Sequence, residues 1–138
     1  MLVNNAGVGS VAPILQADVE KMDDIIRVNI TALTRLTYAV ASAFVARGSG
    51  TIINIASVVG IAVENLNGVY SASKSYVISF GHSLQRDLAD KGIRIQTVLP
   101  VLPRPNSGIS PEIRPRRLAQ IRSPRKIWFM LPSRASTR

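Results

Sequence analysis

The spacing of apolar positions changes repeatedly along the chain up to Pro100, and each change marks an element. Met1-Leu-Val3 reads as the end of a buried strand, and Asn4 to Ser10, rich in Gly and Asn, as the loop leaving it. Asp18 is placed to cap a helix. Behind it Val19, Met22, Ile26, Ile30, Leu33, Leu36, Val40 and Phe44 recur at three- and four-residue steps, predicting one long amphipathic helix that Gly48-Ser-Gly50 stops. Thr51-Ile-Ile-Asn-Ile55 is β-branched and too short for a helix, so it predicts a central parallel strand. Tyr70 to Asp90 repeats the helical spacing through Val77, Gly81, Leu84 and Leu88, and Lys91-Gly92 ends it. Ile93 to Leu99 reads as a third strand. Strand, helix, strand, helix, strand in this order implies a parallel sheet with right-handed crossovers. Asn4, Ser57 and Pro100 then all follow carboxyl ends of strands, the rim where open α/β sheets place ligands.

Chemistry gathers at that rim. Tyr70 and Lys74 lie four residues apart, so a helix brings phenol and ammonium onto one face. A phenol titrates near pH 10, and a neighbouring cation favours its phenolate, making it a usable proton donor and acceptor. Ser57, closing the second strand, has a hydroxyl suited to holding an oxygen on which charge develops. Each feature alone is common in ordinary proteins: a solvated Tyr–Lys pair, a strand-end serine, a Gly-rich turn.

Their order carries more. Asn4-Asn-Ala-Gly7, Asn29 within Arg27-Val-Asn-Ile30, Ser57 thirteen positions before Tyr70, and Tyr70-Ser-Ala-Ser-Lys74 together resemble the short-chain dehydrogenase/reductase family over roughly residues 1 to 100. The resemblance implies an α/β fold, a partial doubly wound (Rossmann-like) parallel sheet of three strands with two long helices, and an NAD- or NADP-dependent oxidoreductase. It implies Tyr70 as acid/base, Lys74 as the group that lowers its pKa and meets the nicotinamide ribose, Ser57 as holder of the substrate oxygen, and Asn29 as relay support that bends its helix. Asn4, Ala6, Gly7 and Pro100 join Tyr70 and Lys74 as cofactor contacts. The substrate becomes a small alcohol or carbonyl compound, with Val59, Ile61, Val63 and Leu66 along its pocket. Two copies would pair through the long helices, Gly81 packing closely against another helix in that contact.

Two family features are missing. No Gly-rich strand–turn–helix for a pyrophosphate precedes Asn4, as though about the first third of the usual domain were absent. After the third strand the family continues Pro-Gly with a threonine beyond, whereas this chain reads Pro100-Val-Leu-Pro-Arg-Pro105. Shifted by one base, the codons possible for Val101 to Ile109 permit Ala-Ala-Thr-Pro-Glu-Phe-Trp-Asp, which resembles that continuation and implies a changed reading frame.

Composition adds a boundary. Of 138 residues 46% are hydrophobic, and mean hydropathy is +0.20, enough to build a core. The absence of cysteine and the single histidine, His82, argue against a metal centre. No apolar run approaches the ~20 residues that cross a bilayer, and no secretory leader is evident, so the cytoplasm is expected. The net charge of +9 belongs to one end: eight basic and seven acidic residues precede Pro100, nine and one follow it. Residues 1–100 therefore read as the carboxyl-terminal portion of a catalytic domain and 101–138 as a basic, Pro/Arg-rich, disordered tail with a short helix around Ile127. Two other readings stand beside the oxidoreductase: an inactive fragment with exposed apolar sheet edges, and a basic-tailed protein binding nucleic acid or a membrane through Trp128 and Phe129. For the tail, having no partner is the favoured reading, so nucleic acid ranks last.

Overall fold

The computed structural model describes residues 1–10, 12–62 and 68–100. The segment after Pro100, with its expected disorder, short helix and changed frame, lies outside them. Three parallel strands, β1 (Leu2–Asn4), β2 (Gly50–Ile55) and β3 (Ile93–Val98), hydrogen-bond in the order β1-β2-β3. Between them run α1 (Val19–Ile26), a π-helical segment Arg27–Ala32, α2 (Leu33–Ala46), and α3 (Gly68–Leu88). This is the expected α/β arrangement, a partial Rossmann-like sheet with two long helical spans.

Register explains where the core sits. Leu2, Ile52 and Ile95 lie side by side across the three strands; two residues on, so do Asn4, Asn54 and Thr97. Side chains two apart share a sheet face. Phe44 and Val40 of α2 and Leu84 and Leu88 of α3 pack against Ile52, Ile93 and Ile95 on that face. A second cluster, Leu33, Ala56 and Val77, continues the core towards the carboxyl rim. Asp18 caps α1 as expected, its carboxylate accepting the Glu20 amide at 3.0 Å. Left-handed Gly92, φ 76°, ends the 3-10 turn Ala89–Lys91 that follows α3.

The long first helix is continuous from Val19 to Ala46, and its middle widens into a π-helical turn around Asn29, where the resemblance implies a local bend. Two expectations change. Gly81 does not face another helix: a Cβ there would overlap the Thr97 hydroxyl on β3 and approach Asn54, so the glycine lets α3 lie close on the sheet. Finally, the span Val19–Ala46 does have the length and mean hydropathy, 1.2, of a bilayer-crossing helix, counter to the expectation that no stretch would. Its buried Asn29 and Thr37 bond to the neighbouring loop and to β1, and its Ile25, Leu33 and Phe44 are buried, which marks it as a helix packed on a sheet.

Candidate active site

The polar row Asn4–Asn54–Thr97 is the foundation of the rim. Asn4 donates its amide N–H groups to Asn54 Oδ1 at 2.8 Å and Thr37 Oγ1 at 3.1 Å. Buried polar groups cost stability unless paired, so this link fixes the end of β1 against both β2 and α2. Asn4 thus turns into the sheet, while Ala6 and Gly7, further along the exit loop, are exposed.

Asn29, 2% exposed, holds that loop from the other side. Its Oδ1 accepts the Val8 amide at 2.9 Å, and its Nδ2 donates to the Val8 carbonyl at 2.9 Å and to Ser73 Oγ at 3.0 Å. A side chain that bonds the backbone of another segment twice competes with regular helical bonding, and the π turn places Asn29 for it. Ser73 in turn donates to the Tyr70 carbonyl at 2.7 Å. Sequence reasoning missed Ser73; its signal was the i+3 position behind Tyr70 on the same helix face.

The loop so held lies against the two candidate chemical groups. A Cβ on Gly7 would stand 3.4 Å from the Lys74 ammonium and 3.3 Å from Asn29 Oδ1; one on Gly9 would touch the Tyr70 ring at 3.3 Å. Any larger side chain at either position would have to displace these groups. Lys74 Nζ donates to the Ile55 carbonyl at 3.1 Å and stands 5.8 Å from the Tyr70 ring centroid. Burial holds the Lys74 pKa below the ordinary 10.5, because desolvation penalises the charged form.

Ser57, 8% exposed, caps the 3-10 turn Val58–Gly60, its Oγ accepting the Val59 amide at 3.4 Å. The oxygen is used as an acceptor, so its proton can point outward to a ligand. Pro100, exposed, accepts the Val58 amide through its carbonyl at 3.4 Å, tying the exit of β3 to the Ser57 turn. Asn29, Gly7, Tyr70 and Lys74 thus meet around the exit loop of β1, the Ser57 turn and Pro100 meet beyond β2 and β3, and the Lys74 bond to Ile55 joins the two groups, with Asn4 beneath the loop.

The expected pocket lining fares differently. Val59 is half-buried and Ile61 exposed, while Val63 and Leu66 lie outside the described residues. A cleft of about 200 Å³ instead opens between the segment after the loop and the start of α3, lined by Ala12, Pro13, Ile14, Ala17, Met22, Gly68 and Val69. Among the described residues no cluster of His, Asp and Glu could hold a metal ion.

Comparison with known proteins gives the family. The family model for short chain dehydrogenase matches residues 1–108. A 3-oxoacyl-(acyl-carrier-protein) reductase FabG of Vibrio cholerae is 36% identical over 100 residues, covering 72% of this chain and 41% of the reductase. A diacetyl reductase, (S)-acetoin forming, of Staphylococcus epidermidis is 37% identical over 101 residues, 72% of this chain and 39% of its own length. Among solved structures, the bulky-bulky ketone specific alcohol dehydrogenase from Comamonas testosteroni superimposes with a TM-score of 0.73 at 39% identity, over 80% of this chain and 44% of that one. A short-chain dehydrogenase from Sphingobium yanoikuyae in complex with NADPH gives 0.70 at 43% identity, over 72% and 39%. The chain spans about two fifths of the length of the curated relatives it matches, and on that match it belongs to the short-chain dehydrogenase family.

Proposed function

We propose that this chain carries the acid/base side of an NAD- or NADP-dependent oxidoreductase site that interconverts a small alcohol and its carbonyl compound. The observation that carries the reading is the buried Lys74 ammonium, seated on the Ile55 carbonyl at 3.1 Å and 5.8 Å from the Tyr70 ring centroid, beside a glycine loop that adds no side chain in front of it.

In this reading Tyr70 passes a proton to or from the substrate oxygen, and Ser57 donates its hydroxyl proton to the same oxygen as charge develops there. Lys74 keeps donors available for ribose hydroxyls. Asn29 is the relay support, held in place by Val8 and Ser73. The residues fit the nicotinamide end of such a cofactor: Ala6 and Gly7 are exposed, and Gly7 leaves the side of the Lys74 ammonium unobstructed. Ala6, Gly7, Tyr70, Lys74 and Pro100 would hold it, with Asn4 acting through the sheet. When bound, the nicotinamide supplies or accepts the hydride. The reaction is assigned to the cytoplasm.

The test is turnover of a small ketone or secondary alcohol by the full chain with NADPH and NADH, alongside cofactor titration. Tyr70→Phe is expected to lower kcat, read at saturating cofactor, by about 10²–10⁴-fold. No cofactor binding by the unsubstituted chain would return it to the reading of an inactive fragment.

We also propose that two copies pair through the long helices. Support comes from Leu36 and Tyr38 on α2, 52% and 69% exposed, and from the stack of Tyr38 on Phe80 and Phe80 on Tyr76 that joins α2 to α3. Sedimentation of the chain and of a Tyr38→Glu variant reads this directly; a monomer in both would overturn it.

A further inference from the structure

Ser57 reaches the site from β2 and Tyr70 from α3, so something must hold one element against the other. Lys74 does this once, through its bond to Ile55. The following residue does it again. Ser75 Oγ lies 2.6 Å from the Gly60 carbonyl and 3.1 Å from the Ser71 carbonyl of its own helix. A hydroxyl has one proton to donate, and the shorter contact is the one that leaves the helix.

Gly60 makes this approach possible. A Cβ there would stand 2.7 Å from the Lys74 carbonyl carbon, 2.9 Å from its oxygen and 2.9 Å from Ile78 Cδ1, so a turn carrying any side chain at this position could not lie as close to α3. Gly60 also returns its amide to the Ser57 carbonyl at 3.1 Å, and Ile61 and Ala62 bond the Val58 carbonyl at 3.0 and 3.1 Å. The turn that Ser57 caps is therefore joined to α3 by the close approach at Gly60 and by the Ser75 hydroxyl, and to the exit of β3 by the bond from Val58 to Pro100.

We infer that Gly60 and Ser75 are positioning residues: together they clasp the Ser57 turn to the Lys74 turn of α3 and so set the Ser57 hydroxyl relative to Tyr70. The value of that placement rests on the reading of Ser57 as holder of the substrate oxygen. The clasp itself does not.

Amide hydrogen exchange on the full chain separates the two. In Ser75→Ala the amides of Gly60, Ile61 and Ala62 should exchange about fivefold faster or more, those of Ile52 and Ile95 in the strands should not change, and Ser75→Thr, which keeps the hydroxyl, should restore slow exchange. Gly60→Ala should loosen the same three amides with Ser75 intact, which provides a second variant if the first folds poorly. Unchanged exchange at these amides, or an equal acceleration throughout the sheet, would overturn the clasp. Where the unsubstituted chain turns over, Ser75→Ala should lower kcat with the KM for cofactor unmoved, and a rise in that KM alone would overturn the positioning role. A chain without turnover would defeat the reading of Ser57 and leave the exchange contrast to decide the clasp.

Discussion

The two faces of the sheet are built from adjacent residues of the same strands and meet different surroundings. On one face Ile52 and Asn54 are fully buried beneath α2 and α3; on the other, Ile53 and Ile55 between and beyond them are only half-buried, Val3 is 45% exposed, and Arg94 and Gln96 are open. Strand alternation makes the comparison clean, since neighbours one residue apart share backbone conformation and differ only in what covers them. It teaches that the described chain stabilises itself through one layer of helices, and that the candidate site rests on the same layer.

Truncation on each face would break or sharpen this contrast. Ile52→Ala should cost about 2–5 kcal/mol, as for other fully buried aliphatics, whereas Ile53→Ala should cost about 1 kcal/mol or less. Denaturant midpoints of the two variants measure it, and equal losses would mean that the second face is covered as well as the first. Next in size is the polar row. Asn54→Ala removes the acceptor of one Asn4 amide hydrogen at 2.8 Å and should cost about 1–3 kcal/mol, read in the same way.

A pH series probes the rim of the covered face. Burial holds the Lys74 pKa below 10.5, so between the folded value and 10.5 the unfolded chain binds more protons, and this group makes stability rise with pH across that window. Below the folded value its burial penalty is constant. Lys74→Met should remove this part of the slope, leaving a flatter stability profile at alkaline pH. The smallest effect belongs to the solvent side of α1, where the Arg27–Asp23 pair at 2.6 Å joins side chains 67% and 49% exposed. Asp23→Asn should change stability by about 0.5 kcal/mol or less, and added salt should erase the difference.

Legibility of the site followed the range of the interactions. Tyr70 and Lys74 share a helix face by spacing alone, and Ser57 closes a strand by pattern alone, so both were readable. Asn29 and a bend in its helix were found through its motif, whereas its bonds to the Val8 backbone were not, because Val8 lies 21 residues away. Gly81 illustrates the same limit: a small residue in mid-helix signals a close neighbour, and only the packing names Thr97 as that neighbour.

By itself the sequence determined the periodicities, and with them the order of strands and helices along the chain, the capping of α1 by Asp18, and the carboxyl rim of the sheet at which Tyr70, Lys74 and Ser57 could meet. Tertiary structure alone decided the polar row under the rim, the pair of hydrogen bonds between Asn29 and the loop, and the docking of the Ser57 turn on α3 through Gly60 and Ser75. The physical reason is that hydrophobic period is a local property of a strand or helix, while a buried hydrogen bond depends on which distant donor and acceptor the packed elements bring within reach.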